Sequence, residues 1–272
     1  MKRLITFIFI LALLVLIFAF TSCSEKGTAQ IDILKIGKAD CIVISTGKQI
    51  IMIDTGEAEN LDTVYDFMDK RGYDKIDTLV ITHYDKDHIG GAAEIISKYN
   101  VARVVESSFK SNSQLYQDYH KVINEQGVTL AKLDDNASFK SGEAKFYISV
   151  PKKSKYKKDQ DNNTSLVILM EYRGVKSLFC GDALEERMEE VIEESLGKCD
   201  FVKLPHHGTY LENYDDILNE LQPSYTVATC SNKNPSSQKT REALHEFNVE
   251  SYETRYGTVS IIIDKNGIQI EQ

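Results

Sequence analysis

Four side chains that commonly bind metals lie within six consecutive residues: His83, Asp85, Asp87 and His88. Proteins hold divalent cations through imidazole nitrogens and carboxylate oxygens. Two of each on one loop could serve one ion or a pair of ions, and paired ions are suited to hydrolysis by activated water. A polar loop can also carry such residues as solvated side chains. Histidine is scarce in this chain, however, and two more histidines stand side by side at 206–207. This clustering favours a metal site.

A strand and a helix are predicted on either side of this loop. Residues 78–82 (Thr-Leu-Val-Ile-Thr) are short and apolar, which is typical of a buried strand. Residues 90–99 place apolar side chains at helical spacing. Because open α/β sheets place their sites on loops that follow the carboxyl ends of strands, this position favours a functional loop.

Two predicted hairpins each end next to an aspartate, Asp54 in the first half of the chain and Asp182 in the second. Each hairpin has a glycine in its turn and is followed by a segment with a helical period. The repeated order indicates an internal structural duplication. The hairpins cover residues 41–54 and 166–180, and the helices cover 61–71 and 184–196.

The chain is acidic, with a formal net charge of −9. This charge argues against a general nucleic-acid binder, which is usually basic, but not against an enzyme whose metal ions supply local positive charge. One segment differs, because residues 151–159 contain five lysines. It is either a solvated surface loop or a basic lip that receives an anionic substrate.

The motifs together resemble the metallo-β-lactamase fold superfamily. The motifs that carry the resemblance are Asp54-Thr-Gly, the Thr-His-x-Asp-x-Asp-His run from residue 82, Asp161-Asn-Asn-Thr-Ser, Gly-Asp182-Ala, and Pro-His-His-Gly from residue 205. Their order is similar to that in the C-terminal hydrolase domain of ComEC-type competence proteins and its free-standing relatives. The resemblance covers residues 31–263. It implies an α/β fold, a four-layer αββα sandwich with a two-metal site between the sheets.

The resemblance also implies a role for each candidate residue. His83 and Asp85 would serve a first metal ion, Asp87 and His88 would serve a second, and Asp182 would bridge both. The further assignments are His207, or alternatively His206, as the last ligand of the second ion; Asp54 as a carboxylate that orients a ligating histidine; and Asp87, His206 and Asn163 as catalytic residues.

Two positions depart from the superfamily pattern. The superfamily usually has histidine where Asp85 stands, and it has a separate histidine for the first ion ahead of the Gly-Asp motif. No histidine lies between His120 and Asp182. The resemblance to the competence-protein group implies that Asn163 takes that place. Oxygen ligands favour harder ions. The expected cofactors are therefore two divalent metal ions, Zn²⁺ or Mn²⁺, with an oxygen-rich and weaker first site.

The expected function is that of a metal-dependent hydrolase, a phosphodiesterase or nuclease that uses a metal-bridging hydroxide. Its partner would be an anionic phosphodiester, either nucleic acid or a cell-surface polymer. The alternatives are a teichoic-acid phosphorylcholine esterase and a non-catalytic DNA- or surface-polymer-binding lipoprotein on the same fold. The binding alternative arises because residues 230–237 lack the histidine that the competence-protein group carries there in a Gly-His-Pro motif. Hydrolysis of β-lactams is a weaker alternative, because the residues at positions 85 and 163 differ from those of the drug-hydrolysing enzymes of this superfamily.

The first 23 residues are similar to a bacterial lipoprotein signal. A short basic start precedes an uninterrupted apolar run at 4–20, and Thr-Ser-Cys23 follows, with Cys23 as the lipid attachment site. An uncleaved signal anchor is the alternative. The predicted organisation is a signal peptide over 1–22, a short linker over 23–29 and a metallo-β-lactamase-like hydrolase domain over 30–272. The expected location is the extracytoplasmic face of the cell membrane.

Overall fold

In a computed structural model, residues 27–47 and 49–272 are described, and they form two facing β-sheets of eight and seven strands, with a separate two-stranded pair. The predicted signal peptide and Cys23 lie outside the described residues. In chain order the strands are β1 Ala29–Ile33, β2 Ile42–Ser45, β3 Ile50–Ile53, β4 Lys75–Ile76, β5 Thr78–Val80, β6 Asn100–Val101, β7 Arg103–Ser107, β8 Thr129–Leu133, β9 Ala137–Ser141, β10 Ala144–Ser149, β11 Val167–Tyr172, β12 Val175–Phe179, β13 Phe201–Lys203, β14 Tyr225–Ala228, β15 Glu250–Glu253, β16 Val259–Asp264 and β17 Gly267–Glu271.

The two sheets repeat one pattern, in which an antiparallel hairpin is followed by parallel strands. In the first sheet, ordered β17-β16-β1-β2-β3-β5-β7-β8, the hairpin β2–β3 is followed by parallel β5 and β7. In the second sheet, ordered β15-β14-β13-β12-β11-β10-β9, the hairpin β11–β12 is followed by parallel β13 and β14. The duplication predicted from the two aspartate-ended hairpins is therefore confirmed.

The helices follow the predicted pattern closely. The predicted helix over 61–71 is confirmed, and a further helix covers 114–126. Each ends at a left-handed glycine, Gly72 with φ of 68° and Gly127 with φ of 65°. The predicted helix over 184–196 is shorter at both ends. No helix in the described ranges is long and apolar enough to cross a bilayer. The helices are α1 Leu61–Arg71, α2 Lys86–Ile89, α3 Ala92–Lys98, α4 Gln114–Gln126, α5 Gln160–Asn163, α6 Glu185–Glu193, α7 Tyr214–Leu221 and α8 Gln238–Glu246, with 3₁₀ turns at Ala58–Asn60 and Pro205–Gly208.

Three apolar layers hold the sheets and helices together. The inner faces of both sheets meet in one core that includes Ile31, Ile44, Phe146 and Ile168. Helices α1, α3 and α4 cover the outer face of the first sheet, and α6, α7 and α8 cover the second. Burial of each large apolar side chain contributes about 1.5–3 kcal/mol. The predicted αββα sandwich is confirmed.

The strand directions bring several loops to one edge of the sandwich. Strands β1 and β3 both run antiparallel to β2, so β1, β3, β5 and β7 end at the same edge of the first sheet. By the same reasoning, β10, β12, β13 and β14 end together in the second sheet. All the predicted metal ligands lie in the loops, short helix α2 and 3₁₀ turn that follow these strand ends.

Candidate metal centre

One compact group unites the residues predicted for the second metal ion. Asp87, His88, Asp182 and His207 each offer a ligand atom, and these atoms all lie within 4.8 Å of one another. Nε2 of His88 lies 3.2 Å from one Asp182 oxygen, and Nε2 of His207 lies 3.1 Å from the other. The same His207 nitrogen is 3.2 Å from Asp87 Oδ2. Two nitrogens and two carboxylates therefore converge from both halves of the duplicated fold.

Buried polar atoms in this group, and on His83 beside it, fit a cation. Nε2 of His83, Nε2 of His88 and Oδ1 of Asp182 are buried and form no hydrogen bond within the described residues. An unsatisfied buried polar atom costs about 1–3 kcal/mol, so native proteins seldom leave several together. Imidazole and carboxylate donors are the set that divalent transition metals prefer. The arrangement is consistent with binding of a metal ion.

The carboxylate of Asp54 orients two of the histidines. It lies 2.7 Å from Nδ1 of His88. Its two oxygens also accept hydrogen bonds from the backbone and the hydroxyl of Thr82, and that hydroxyl lies 3.1 Å from Nδ1 of His83. A proton fixed on Nδ1 leaves Nε2 free for a metal. Asp54 has φ of 57°, an uncommon conformation that the surrounding contacts hold.

The residues predicted for the first ion form a looser arrangement. Nε2 of His83 lies 3.7 Å from Asp85 Oδ2, and the side chain of Asp85 is 41% exposed. The rings of His83 and His88 are 4.1 Å apart between centroids, which places this pair beside the compact group. Neither His83 nor Asp85 belongs to a group of three or more close ligands in the described residues.

The side-chain amide of Asn163, predicted at the first ion, is hydrogen-bonded to the backbone on both sides. Its Oδ1 accepts hydrogen bonds from the backbone amides of Leu184 and Arg187, at 3.2 and 3.3 Å. Its Nδ2 donates to the carbonyls of Lys158 and Asp159. The amide is thus committed to joining the lysine-rich loop to the start of α6. The order of motifs in the sequence placed Asn163 near the centre but did not show which groups its side chain contacts.

The two adjacent histidines occupy different positions. His207 is buried and meets both Asp87 and Asp182, whereas Nε2 of His206 lies 3.9 Å from Asp182 and its side chain is 22% exposed. Both have left-handed φ values, 44° and 58°, in the turn that follows β13. This strained turn aims one ring inward and the other toward the mouth of the site. Of the two alternatives, the geometry favours His207 as ligand.

The carboxylates attract positive charge strongly. Burial lowers the pKa of His207, but Asp182, Asp40 and Asp87 outweigh it and raise this pKa to about 10. The same competition raises the pKa of His88 well above its usual value, with Asp182 and Asp54 the main contributors against burial. Because a divalent cation competes with protons for such nitrogens, metal binding at this centre should release protons.

Tyr84 does not face this centre as a proton donor. Its hydroxyl is buried and donates a 2.8 Å hydrogen bond to the carbonyl of Ser107. Burial raises the pKa of this phenol, as does the neighbouring Glu106. Tyr84 instead packs its ring against Tyr116, edge to face. His206, one of the predicted catalytic residues, does lie beside the centre, with its Nε2 3.9 Å from Asp182.

Two of the five lysines in the lysine-rich loop are paired with glutamates. Lys152 lies near Glu193, the last residue of α6, and near Glu194, which follows it. Lys153 lies near Glu186 in the first turn of α6. The remaining three, at 155, 157 and 158, are exposed and form no ion pair in the described part of the chain. The loop is therefore partly neutralised and partly available to an anion.

Sequence reasoning missed three buried residues behind the centre: Asp40, Lys203 and Thr229. Lys203 forms an ion pair with Asp40, and both side chains are almost fully buried. The Thr229 hydroxyl donates to Asp40 and lies 2.9 Å from Nδ1 of His207. The one sequence signal was a lysine at the end of an otherwise apolar strand, β13; Asp40 and Thr229 occur in no motif.

The family assignment agrees with this geometry. Residues 35–229 match the metallo-beta-lactamase superfamily, and the chain belongs to that superfamily. The chain is 23% identical over 280 residues to ComE operon protein 3 of Bacillus subtilis, a match that covers 90% of this chain and 36% of that protein. It is 23% identical over 208 residues to competence protein ComA of Neisseria gonorrhoeae, covering 75% and 27%. The chain thus spans about a third of the length of these relatives.

A solved structure shows the same fold. The metallo-beta-lactamase fold protein YhfI of Bacillus subtilis superposes with a TM-score of 0.58 and 10% sequence identity, covering 90% of this chain and all of that one. At this identity the likeness concerns the fold alone. Metallo-beta-lactamase proteins are generally hydrolases that bind divalent metals, and the candidate ligands here occupy the edge at which the two sheets end.

Proposed function

We propose that this protein is a metal-dependent phosphodiesterase that acts on nucleic acid or on a phosphodiester polymer of the cell surface. The observation that carries the proposal is the convergence of Asp87, His88, Asp182 and His207, with His83 and Asp85 beside them, at an edge that also carries unpaired lysines. The relatedness to competence proteins supports nucleic acid as the first substrate to test.

Four loops on the same edge carry lysines with no acidic partner. These loops follow β1, β7, β10 and β14. In the described residues, Lys152 and Lys153 form ion pairs and the other lysines of these loops form none. Within an acidic protein such a rim attracts anions and favours their approach. Burial lowers the pKa of His206, and the positive charges of His207 and Lys38 lower it further against the opposing effect of Asp182. The unpaired lysines are Lys35, Lys38, Lys110, Lys155, Lys157, Lys158 and Lys233.

The residues divide the proposed chemistry among them. Divalent ions held by the ligand groups would lower the pKa of water and polarise the phosphoryl oxygen, with Zn²⁺ and Mn²⁺ as the proposed ions. Asp54 and Thr82 hold the tautomers of His88 and His83. His206, at the mouth, is placed to exchange a proton with the leaving group. The lysine rim would hold the flanking phosphates.

The full-length chain should cleave a phosphodiester in a metal-dependent manner. Bis-p-nitrophenyl phosphate, single-stranded DNA, p-nitrophenyl phosphorylcholine and nitrocefin would be offered with Mn²⁺ or Zn²⁺, beside His83→Ala. We expect turnover of the first two, lost in the variant, because His83 supplies a nitrogen to the first ion. Turnover would be followed by absorbance for the chromogenic substrates and by gel for DNA.

Each other outcome points to a different function. Preferential cleavage of p-nitrophenyl phosphorylcholine would indicate a teichoic-acid esterase, and nitrocefin turnover would reject the proposal. A folded, metal-loaded chain that binds DNA but cleaves no substrate would indicate the binding lipoprotein. Retention of full activity in His83→Ala would show that the first site is not needed.

For location, we propose attachment to the extracytoplasmic face of the membrane through lipid on Cys23. The support is in the sequence alone: a basic start, an apolar run and a cysteine that follows small residues. Cys23→Ala should move the protein from the membrane to the soluble fraction and abolish labelling with radioactive fatty acid, since two acyl chains give stable anchoring. A variant that stays in the membrane without label would instead identify an uncleaved anchor.

A further inference from the structure

A hydroxyl joins His207 to a carboxylate that is not itself a predicted ligand. Thr229 Oγ1 donates to Asp40 Oδ1 at 2.6 Å and lies 2.9 Å from Nδ1 of His207. All three side chains are buried. Because the single hydroxyl proton is given to Asp40, Thr229 can only accept from His207, so the imidazole proton resides on Nδ1. When a cation displaces the second proton, the lone pair of Nε2 becomes free and faces Asp87 and Asp182.

A buried ammonium holds Asp40 and also reaches the opposite side of the centre. Lys203 is fully buried, pairs with Asp40, and donates to the carbonyl of Gly181 at 3.1 Å. Its nitrogen lies 3.9 Å from Asp182 Oδ1. Gly181 has φ of 53°, and a Cβ there would come within 3.1–3.2 Å of Thr82 and Ser165. One lysine therefore anchors both the carboxylate behind His207 and the tight bend that presents Asp182.

The arrangement links the two halves of the sandwich. Asp40 follows β1 in the first sheet, and its backbone amide donates to the carbonyl of Asp87 at 3.0 Å. In the second sheet, Lys203 is the last residue of β13, and Thr229 directly follows β14. The contacts parallel those around His83, where the Thr82 hydroxyl stands between the ring and Asp54.

We propose that Asp40, Lys203 and Thr229 form a positioning unit that fixes the orientation of His207 and the placement of Asp182 for a divalent cation. Residues that hold a ligating histidine from behind typically contribute 10–100-fold to metal affinity. The proposal rests on the centre binding a cation, as in the proposed function, but not on which bond is cut.

The test is metal affinity of the full-length chain, measured by competition with a chromophoric chelator for Zn²⁺ and Mn²⁺. Thr229→Val keeps the shape and removes the hydroxyl, and it should weaken binding about 10–100-fold. Thr229→Ser restores the hydroxyl and should bind within about threefold of the natural chain. The matched control is Thr226→Val on β14, where the buried hydroxyl has no hydrogen-bond partner, and affinity there should not change.

Equal affinity in Thr229→Val and Thr226→Val would overturn the proposal. If Thr229→Val fails to fold, ¹⁵N resonances of the Zn²⁺-loaded natural chain decide the matter, because they report which nitrogen of His207 carries the proton. A proton on Nδ1 supports the unit, and a metal on Nδ1 rejects it. A natural chain that binds metal but cleaves no substrate would remove only the proposed function, whereas a Thr229 hydroxyl without effect would remove only this inference.

Discussion

Replacement of Asp182 with asparagine should slow turnover about 10³-fold and remove most of the bound metal. Asp182 faces His88 with one oxygen and His207 with the other, at 3.2 and 3.1 Å. Asparagine keeps the shape but exchanges an anionic oxygen for an amide. Loss of about 4 kcal/mol of charge stabilisation corresponds to about a 10³-fold slower reaction. The measurements are the rate on bis-p-nitrophenyl phosphate and metal content by mass spectrometry.

An exposed aspartate provides the control for this change. Asp215→Asn alters the net charge equally, but Asp215 is exposed on α7 and contacts no predicted ligand. Its rate and metal content should match those of the natural chain. Asp182→Asn that kept two ions and normal turnover would show that Asp182 is not the bridging ligand. A variant that lost metal yet bound DNA as before would favour the non-catalytic binding protein.

The fold was largely predictable because its signals are local. Hairpins around Gly47 and Gly174, and helices that end at Gly72 and Gly127, follow from turn chemistry and apolar period. The duplication was visible for the same reason, since each half repeats these local signals before an aspartate. The pairing of β1 with β16 was not visible, because it joins residues more than 200 positions apart and no local pattern specifies such a partner.

The site was predictable where ligands share a motif and unpredictable where single residues meet in space. Close spacing in the sequence identifies four candidate ligands: His83, Asp85, Asp87 and His88. Lys203, by contrast, lies in a short buried strand, and its charge is stabilised by the carboxylate of Asp40, which follows a strand of the other sheet. An isolated buried lysine would be strongly unfavourable, so the pairing shows that both charges are needed together. Only the three-dimensional arrangement reveals this relation.

Asn163 illustrates a side chain whose use the sequence does not reveal. An oxygen-bearing side chain at the expected point in the sequence was assigned to a metal, but hydrogen bonding in the folded chain commits it elsewhere. Its amide holds the first turn of α6 and the end of the lysine-rich loop. The weaker first site stays a prediction, with His83 and Asp85 as its proposed ligands and Asp182 as the proposed bridge.

Substitution of the two adjacent histidines should separate metal binding from proton transfer. His207→Gln should reduce metal affinity by more than about 100-fold, because a direct ligand is worth more than a residue that stands behind one. His206→Gln should leave affinity within about threefold while kcat falls about 10²-fold, the lower range for loss of a general acid or base. The difference follows from burial: His207 contacts Asp87 and Asp182, and His206 lies at the mouth.

Each histidine variant serves as the control for the other, because the exchange is identical and the positions are adjacent. Chelator competition would give the affinities, and initial rates at saturating metal would give kcat. Loss of metal in His206→Gln with retention in His207→Gln would reverse the assignment made from the geometry. Equal loss of affinity in both would mean that the strained turn after β13 is required as a unit, with neither ring acting alone.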